Sequence, residues 1–529
     1  FSSLAYEVLL IRVFSILHWH HFAAMAIGLA LLGHGASGAF IAVFQQWLVK
    51  RFHAVFIFNV FAFALLAPVS FYITQIVQFN TLEIVWDIGQ WWRLLIIEVV
   101  LMLPFFFSAS AIGLSICFYK RRLSLIYGTE LLGAGIGAIT LILLLYSISL
   151  INILAVIIFM AGMAGVLALV IWHPLTRRSK LMALISLMII VVLCLSSMQW
   201  PKLEVAQYKA LNHALQLPKT RIAYEESTPL GLITVLSSPA VALRMASGTS
   251  LNFQGKIPEQ LGLFIDGEPV GGITKYAGDA ESIEFLGAST GALPYQLVSE
   301  QSDVLIVGLG AGNSLLQASK HKPGLVDVIE PNAQLINVFI DRFKAFSGVE
   351  YLMPYTHFNR ADIRGWLKRE TRQYDLIQLQ SMEGMNASVL SLREQHQLTK
   401  EALENYWQAL SQDGILSITL WMDIPPRAAP RVVNTLYDML NPRLTPALHI
   451  AVVRSWQTVT IVLSKSVLSD LDNQKIRIGS VTDGGYVILD GIDYDILLSA
   501  GIEDNIDFEE HFTNKYNVKC YAYDGTIEK

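Results

Sequence analysis

The chain has 529 residues, of which 53% are hydrophobic and 15% are charged, whereas about 25% of residues are charged in an ordinary soluble domain. The first 200 residues contain 10 Lys and Arg against 5 Asp and Glu, and the remainder contains 28 against 38. This acidic remainder argues against nucleic-acid binding, which needs a basic surface to neutralise phosphates. Cys117, Cys194 and Cys520 lack the spacing of a disulfide framework or a metal site.

Residues 1–200 are predicted to form a bundle of about seven transmembrane helices. Seven segments approach the roughly 20 apolar residues that a span requires, and they are 1–18, 22–48, 54–79, 94–119, 123–147, 148–172 and 181–200. The lipid bilayer is therefore an expected partner. Because Phe1 already lies inside an apolar segment, we expect that the chain was cut from a longer protein.

Basic residues lie in alternate loops of this bundle, at 50–51, 120–122 and 177–180. The positive-inside rule places these loops in the cytoplasm, so a seventh crossing would deliver the following domain outside. We expect instead that segment 181–200, whose apolar core is short, lies along the interface. The soluble domain is then cytoplasmic, on a bacterial inner membrane. The alternative is an external domain that does not use a cytosolic cofactor.

Ionisable residues fall inside the predicted spans at Glu7, Arg12, Glu98 and Glu130, with His34 in the second span. Such residues are costly in a bilayer and by default indicate function. The structural alternative is that Glu7 and Arg12 neutralise each other and that Glu130 forms hydrogen bonds within its glycine-rich helix. The two glutamates Glu98 and Glu130 also keep open a transporter or sensor.

Residues 201–217 are predicted to be an amphipathic linker helix, and residues 218–299 a small β-rich domain. The β-rich assignment depends on turn signals at 229–231, 266–267 and 271–272. A small sheet therefore precedes the main soluble domain.

From Asp303 the pattern changes to strand, glycine turn and helix, and the next strand ends at Glu330. Glycines at 308, 310 and 312 let the backbone turn tightly and approach a ligand at a helix N-terminus. An acid that closes the second strand accepts hydrogen bonds from ribose hydroxyls. Residues 300–466 are therefore predicted to form a Rossmann-like α/β domain that binds a nucleoside-bearing ligand.

The remaining strands fit the same fold. Strands are predicted at 374–379 and 414–420, and the segments HIAVVRSW and TVTIVLS are predicted to form the final antiparallel pair of a class I methyltransferase-type sheet. Asp362 ends a short segment where it would bond an adenine amino group. Residues 473–529 resemble the opening of the FkbM-like methyltransferases and are interpreted as the truncated start of a second βαβ domain, with no activity assigned.

Several segments resemble the spermidine synthase-like proteins with a fused N-terminal membrane domain: YEVLLIRVFS, IYGTELLGAGIGA, STPLGLITV, LFIDGE, ALPYQL, YDLIQLQS and LTKEALENYWQALSQDGIL. The resemblance covers about residues 4–465. It implies an adenosyl-cofactor transferase of the class I methyltransferase fold. It also implies that Gly308, Gly310, Gly312, Glu330 and Asp362 contact the cofactor.

The chain departs from that family's pattern at positions that matter for the reaction. Polyamine synthases have an acid in the glycine loop that holds the amine of decarboxylated S-adenosylmethionine, and this chain has Ala311 there. Because an acid would repel an intact methionine carboxylate, Ala311 favours S-adenosylmethionine itself. The family's catalytic aspartate is replaced by Gln380, which cannot act as a base. Glu383 matches a second acid of that stretch and is either the base or a solvated loop carboxylate.

The leading prediction is a membrane-anchored transferase that moves a methyl group from S-adenosylmethionine to a small-molecule acceptor. Methyl transfer needs little acid–base chemistry when the acceptor is already nucleophilic, so loss of the aspartate does not exclude it. Aminopropyl transfer from decarboxylated S-adenosylmethionine to a polyamine is the second prediction. A transporter or sensor that binds a nucleoside without turnover is the third. The sequence identifies neither the acceptor nor whether the chain forms a homo-oligomer.

Overall fold

The computed structural model describes residues 1–17, 20–77, 79–80, 83–172, 177–198, 205–246, 248–251, 253–381, 396–422, 426–441, 443–468, 496–500 and 519–523. The chain divides into two compact units. The first contains residues 1–217, 222–234 and 264–268, and the second contains the rest of the chain.

The first unit has a helix at each of the seven predicted segments. They are α1 (Ser2–Leu17), α2 (His20–Lys50), α3 (Phe52–Ile76), α4 (Ile88–Phe118), α5 (Leu123–Leu144), α6 (Leu150–Trp172) and α7 (Arg177–Met198). Among the described residues, five helices are long and apolar enough to cross a membrane, and they lie within α2 to α6. Helix α1 has only 16 residues, so a total of seven crossings stays a prediction.

The bundle core is closed around α1. Tyr6 is fully buried, and its hydroxyl donates to the carbonyl of Ala67 at 3.0 Å and lies 3.0 Å from Ser70 Oγ on α3. Between α2 and α4, the hydroxyls of Ser37 and Ser110 are 2.9 Å apart. These buried polar groups are satisfied within the bundle, which is required where no water is present.

Helix α7 packs lengthwise and antiparallel along α6. Cys194 Sγ donates to the carbonyl of Ala155 at 3.4 Å, and two turns further along α6 a Cβ at Gly162 would lie 2.4 Å from Ile190 Cδ1. The apolar stretch described within α7 is Leu184–Ser196, which is shorter than the helices that could cross a membrane. The placement of segment 181–200 along the interface therefore stays a prediction.

An ion cluster in the first unit joins α1 to the turn at Asp266. Arg12 donates two hydrogen bonds to the Asp266 carboxylate, at 2.7 and 2.8 Å. Lys209 is 2% exposed, and its ammonium donates to the carbonyls of Ser15 at 3.0 Å and Asp266 at 2.6 Å. The suggested pairing of Arg12 with Glu7 is therefore wrong, because the carboxylate that neutralises Arg12 comes from the soluble half of the sequence.

A short helix and a small sheet follow the bundle. Helix α8 covers Ala210–Leu215, within the predicted linker. Strands β1 (Arg221–Thr228), β2 (Gly231–Ser237), β3 (Gln260–Ile265) and β4 (Glu268–Thr274) form a four-stranded sheet in that order. Asp266 and Gly267 form the turn between β3 and β4, both with positive φ, as a tight hairpin turn requires.

The second unit is built on a seven-stranded sheet. Its strands are β5 (Asp303–Val307), β6 (Leu325–Ile329), β7 (Thr356–Asn359), β8 (Tyr374–Ser381), β9 (Leu410–Trp421), β10 (Ile450–Arg454) and β11 (Thr458–Ser464), in the order β10-β11-β9-β8-β5-β6-β7. Strands β5 to β9 pair in parallel, and β11 pairs antiparallel with β9 and β10. The predicted Rossmann-like sheet with an antiparallel finish is confirmed.

Helices connect these strands: α9 (Glu284–Gly287), α10 (Asn313–Lys320), α11 (Ala333–Asn337), α12 (Lys344–Ser347), α13 (Ile363–Leu367), α14 (Lys400–Ala409) and α15 (Ala428–Leu440). Buried side chains of the central strands, including Leu305, Ile377 and Leu416, form one core with Leu403 and Tyr406 of α14. Strands β5 and β8 are neighbours although β6 and β7 lie between them in sequence, so the strand order reverses there. Ligands bind at the carboxyl ends of strands at such a point.

Two further strands are described in the tail. Strands β12 (Ile496–Ala500) and β13 (Lys519–Tyr523) pair in parallel. This pairing agrees with the predicted βαβ order, whose connecting segment lies outside the described residues.

Candidate functional site

The turn after β5 is built from three glycines with positive φ. Gly308, Gly310 and Gly312 have φ values of +86°, +54° and +82°, in a region that side chains with a Cβ rarely adopt. A Cβ at Gly308 would have nothing within 4 Å, and at Gly310 it would meet only Val270 Cγ1 at 3.9 Å. The first two glycines therefore border open space, where a ligand has room to approach the backbone.

The third glycine has a packing role. A Cβ at Gly312 would lie 2.3 Å from Phe339 Cε2, far inside van der Waals contact. Helix α10 begins at the next residue, Asn313. Gly312 therefore lets the start of α10 pack closely against Phe339, as the third glycine of such a loop commonly does.

Glu330 directly follows β6 and organises the glycine loop. It is buried, with 7% of its surface exposed. Its carboxylate accepts hydrogen bonds from the backbone N–H of Leu309 at 3.0 Å and of Asn332 at 2.9 Å. A carboxylate has about four acceptor positions, and these two hydrogen bonds occupy two of them. Glu330 thus lies next to the glycine loop, where the sequence places it.

Asp362 occupies the corresponding place beyond β7. Its exposed carboxylate caps α13 by accepting from the N–H groups of Arg364 at 3.0 Å and Gly365 at 3.2 Å. Helix capping is a sufficient structural reason for an aspartate here. The predicted adenine contact remains a prediction.

Ala311 packs against β4. It is buried, and a Cβ at Gly271 would lie 3.0 Å from the Ala311 Cβ. The Ala311 Cβ therefore lies beside Gly271, where any side chain at 271 would crowd it.

A polar pocket lies where β8 and β9 end and β11 begins. Its described lining includes Asn313, Gln317, Gln380, Thr419, Thr458 and Ser289, and none of the lining residues that the structure describes is ionisable. The space available to water-sized molecules is about 20 Å³, which holds one water. Glu383, the other predicted catalytic residue, lies outside the described residues, so the structure brings only Gln380 to this pocket.

Gln380 belongs to a hydrogen-bonded glutamine cluster. Its amide donates to Gln317 Oε1 at 3.3 Å, as does the amide of Gln378 at 3.2 Å. The Gln317 amide donates to Ser289 Oγ at 2.9 Å and to the carbonyl of Leu286 at 3.1 Å. The cluster therefore fixes a neutral amide near the end of β8, at the pocket wall.

Tyr295, in the segment ALPYQL, is hydrogen-bonded to the same cluster. Its buried hydroxyl donates to Gln378 Oε1 at 2.9 Å, its ring stacks on His321 at 4.8 Å, and burial raises the pKa of Tyr295. Sequence reasoning did not find Tyr295, Gln317 or Gln378. Their only sequence signal is polar residues inside otherwise apolar elements.

No protein-family model and no curated protein sequence matches the chain. Among solved structures, it is similar to a spermidine synthase in complex with the transition-state analogue AdoDATO and to spermidine synthase from Thermotoga maritima. Each is 16% identical, with a TM-score of 0.33, covering 48% of this chain and 75% of the other. A probable spermidine synthase from Corynebacterium glutamicum is 14% identical, with a TM-score of 0.34, over 48% of this chain and 86% of the other.

The described fold and loop define the class of protein. Five apolar helices long enough to span a membrane are combined with a parallel sheet that ends in an antiparallel strand pair. The chain is therefore a membrane protein with a Rossmann-like domain of the class I methyltransferase type.

Proposed function

We propose that the chain is a membrane-integrated transferase that uses S-adenosylmethionine to methylate a small-molecule acceptor. The observation that carries the proposal is the glycine loop: Gly308 and Gly310 border open space at the carboxyl end of β5, beside the buried carboxylate of Glu330. This combination suits a nucleoside with a polar tail, because backbone N–H groups and an acid meet at one edge of the sheet.

The residues present fit an adenosyl cofactor. Gly308 and Gly310 leave room for it, the Glu330 carboxylate would accept from its ribose hydroxyls, and Asp362 would accept from its adenine amino group. When bound, S-adenosylmethionine supplies a methyl group on a positively charged sulfur. The protein's own part is to hold the cofactor against the sheet edge and to orient an acceptor in the adjoining polar pocket.

Two residues support methyl transfer over aminopropyl transfer. Ala311 offers no charge to hold the free amine of decarboxylated S-adenosylmethionine. Gln380 is engaged with Gln317, and an amide cannot take a proton from an attacking ammonium. Both observations favour the intact cofactor and an acceptor that is already nucleophilic.

The proposal requires the soluble domain to face the cytoplasm, where a cytosolic cofactor is available. If α7 crosses the membrane, the basic residues at 177–180 and the residues from 205 onward lie on opposite sides, and the positive-inside rule then places the domain outside. An external soluble domain would therefore contradict the proposal.

The Glu330→Ala variant tests the cofactor site in the purified full-length protein. Losing the acceptor for the ribose hydroxyls should weaken S-adenosylmethionine binding by about 1–3 kcal/mol. Glu300→Ala is the matched control, because that glutamate side chain is 75% exposed. Thermal unfolding must show that Glu330→Ala is folded, since Leu309 and Asn332 lose an acceptor too. Unchanged affinity in a folded variant would place the site elsewhere, and binding without methyl transfer to any acceptor would favour a sensor.

A further inference from the structure

The pocket beside the glycine loop is polar but has no charged group among its described lining residues. Asn313, Gln317, Gln380, Ser289, Thr419 and Thr458 supply its hydrogen-bonding atoms. All of these side chains carry amides or hydroxyls, which both donate and accept hydrogen bonds.

From this lining we infer that the acceptor is held in the pocket through an uncharged group that both donates and accepts hydrogen bonds, such as a hydroxyl or a carboxamide, while another, already nucleophilic atom takes the methyl group, and that polyamines are excluded. The inference rests on the proposed function, because it assigns the pocket to the acceptor of that transferase.

The exclusion of polyamines follows from desolvation. An ammonium only donates hydrogen bonds, and moving it from water into a pocket without a carboxylate costs several kcal/mol. Gln380 occupies the place where an aspartate would offset that charge, and its own amide is directed to Gln317 Oε1 at 3.3 Å. Moving an anionic group into the pocket is costly for the same reason, because no cationic side chain is among its described lining residues.

Two hydrogen-bonded threonine pairs at the pocket can bind an uncharged polar group. Thr290 and Thr458 hydroxyls are 2.8 Å apart, and those of Thr419 and Thr460 are 2.9 Å apart. Each pair uses one of its two hydroxyl hydrogens internally, and Thr458 and Thr419 are the members that line the pocket. Since both oxygens also accept, a hydroxyl entering the pocket finds both kinds of partner.

The pocket's size restricts the entering group further. Its water-sized space of about 20 Å³ takes one small polar terminus. Gly291 forms part of the wall, where a Cβ would lie 3.2 Å from Gln380 Nε2 and 3.5 Å from Thr419 Oγ1. A Gly291→Ala substitution would therefore narrow this space.

The test compares two molecules of equal length that differ in charge. Binding of putrescine and of 1,4-butanediol to the full-length protein in detergent is measured by saturation-transfer NMR with titration. The diol should bind at least as tightly as putrescine. A wild-type protein that binds putrescine tenfold more tightly than the diol overturns the inference.

A charge-introducing variant makes the test sharper. In Gln380→Glu, putrescine binding should tighten at least tenfold while binding of the diol does not. Gln373→Glu, an exposed position at the edge of the same strand, is the matched control and should change neither. Equal putrescine affinity in Gln380→Glu and wild type would also overturn the inference. If Gln380→Glu does not fold, the comparison of the two probes on the wild type still decides.

Failure of the inference is distinguishable from failure of the proposed function. S-adenosylmethionine affinity is measured on the same samples, and its absence counts against the transferase alone. A protein that binds the cofactor and prefers putrescine would keep the transferase and lose the uncharged acceptor.

Discussion

The carboxylate of Asp266 forms a two-bond ion pair with Arg12, which lies 254 residues earlier in the chain. Asp266 also accepts from the N–H of Leu232 at 2.8 Å. The turn between β3 and β4 is thereby attached to the first helix of the bundle. All three residues belong to the first unit, so the turn belongs structurally to the bundle.

Replacement of Asp266 by Asn should destabilise this unit by about 3 kcal/mol, because it leaves a nearly buried guanidinium without a counter-charge. Asparagine tolerates the positive φ of this position, so backbone strain does not contribute. Thermal unfolding of the detergent-solubilised protein measures the change. The double variant Arg12→Met with Asp266→Asn should recover part of the loss, and a purely additive double variant would show that the pair does not interact.

Lys209 makes stability depend on pH in the alkaline range. Burial lowers the pKa of Lys209 from 10.5 to about 8, against the opposing effects of Glu268 and Asp266. Between pH 8 and 10.5 the unfolded chain then binds more protons than the folded chain, so this residue's contribution to stability rises with pH in that window. Unfolding midpoints should increase with pH in wild type relative to Lys209→Met. Parallel pH profiles for the two proteins would refute this role.

Replacement of the loop glycines by alanine should mainly affect cofactor binding at Gly308 and mainly affect stability at Gly312. Gly308→Ala introduces backbone strain of about 1–3 kcal/mol and puts a methyl group into the open space, so cofactor affinity should fall by more than stability accounts for. Gly312→Ala clashes with Phe339, so its main effect should be on unfolding, with partial rescue by Phe339→Leu. Calorimetry and thermal unfolding of both variants measure this. Equal effects of the two variants on binding and unfolding would contradict the assignment.

Labelling of single cysteines with an impermeant reagent in intact cells shows on which side of the membrane the soluble domain lies and on which side a bundle loop lies. Glu300→Cys reports on the domain, because residue 300 is exposed whereas Ser302 is buried. Arg121→Cys reports on a basic loop. With the native cysteines replaced, the proposed function requires both positions to be protected. Efficient labelling at 300 with protection at 121 would place the domain outside and remove the cytosolic-cofactor mechanism.

Local patterns predicted most of the fold. The apolar segments marked all seven bundle helices, and the strand-glycine-helix pattern from Asp303 to Glu330 marked the sheet that is observed. Both are short-range signals, since hydrophobic runs and glycine turns act over a few residues. The packing of α7 against α6 depends on small residues such as Gly162 on the partner helix, which the composition of 181–200 does not reveal.

The candidate site was only partly predictable for the same reason. The glycine loop and Glu330 are about 20 residues apart and belong to one βαβ unit, so their meeting follows from the pattern. The cluster of Tyr295, Gln317 and Gln378 joins residues up to 83 positions apart. No local sequence pattern predicts which buried polar side chains will form hydrogen bonds with one another. The same is true of the ion pair between Arg12 and Asp266.

Calorimetric titration of the purified full-length protein with S-adenosylmethionine and, separately, with its decarboxylated form distinguishes methyl transfer from aminopropyl transfer. We expect S-adenosylmethionine to bind more tightly, because Ala311 offers no acid to hold the free amine or to repel the methionine carboxylate. Tighter binding of the decarboxylated form, especially with putrescine present, would refute the proposed methyl transfer and identify a polyamine synthase.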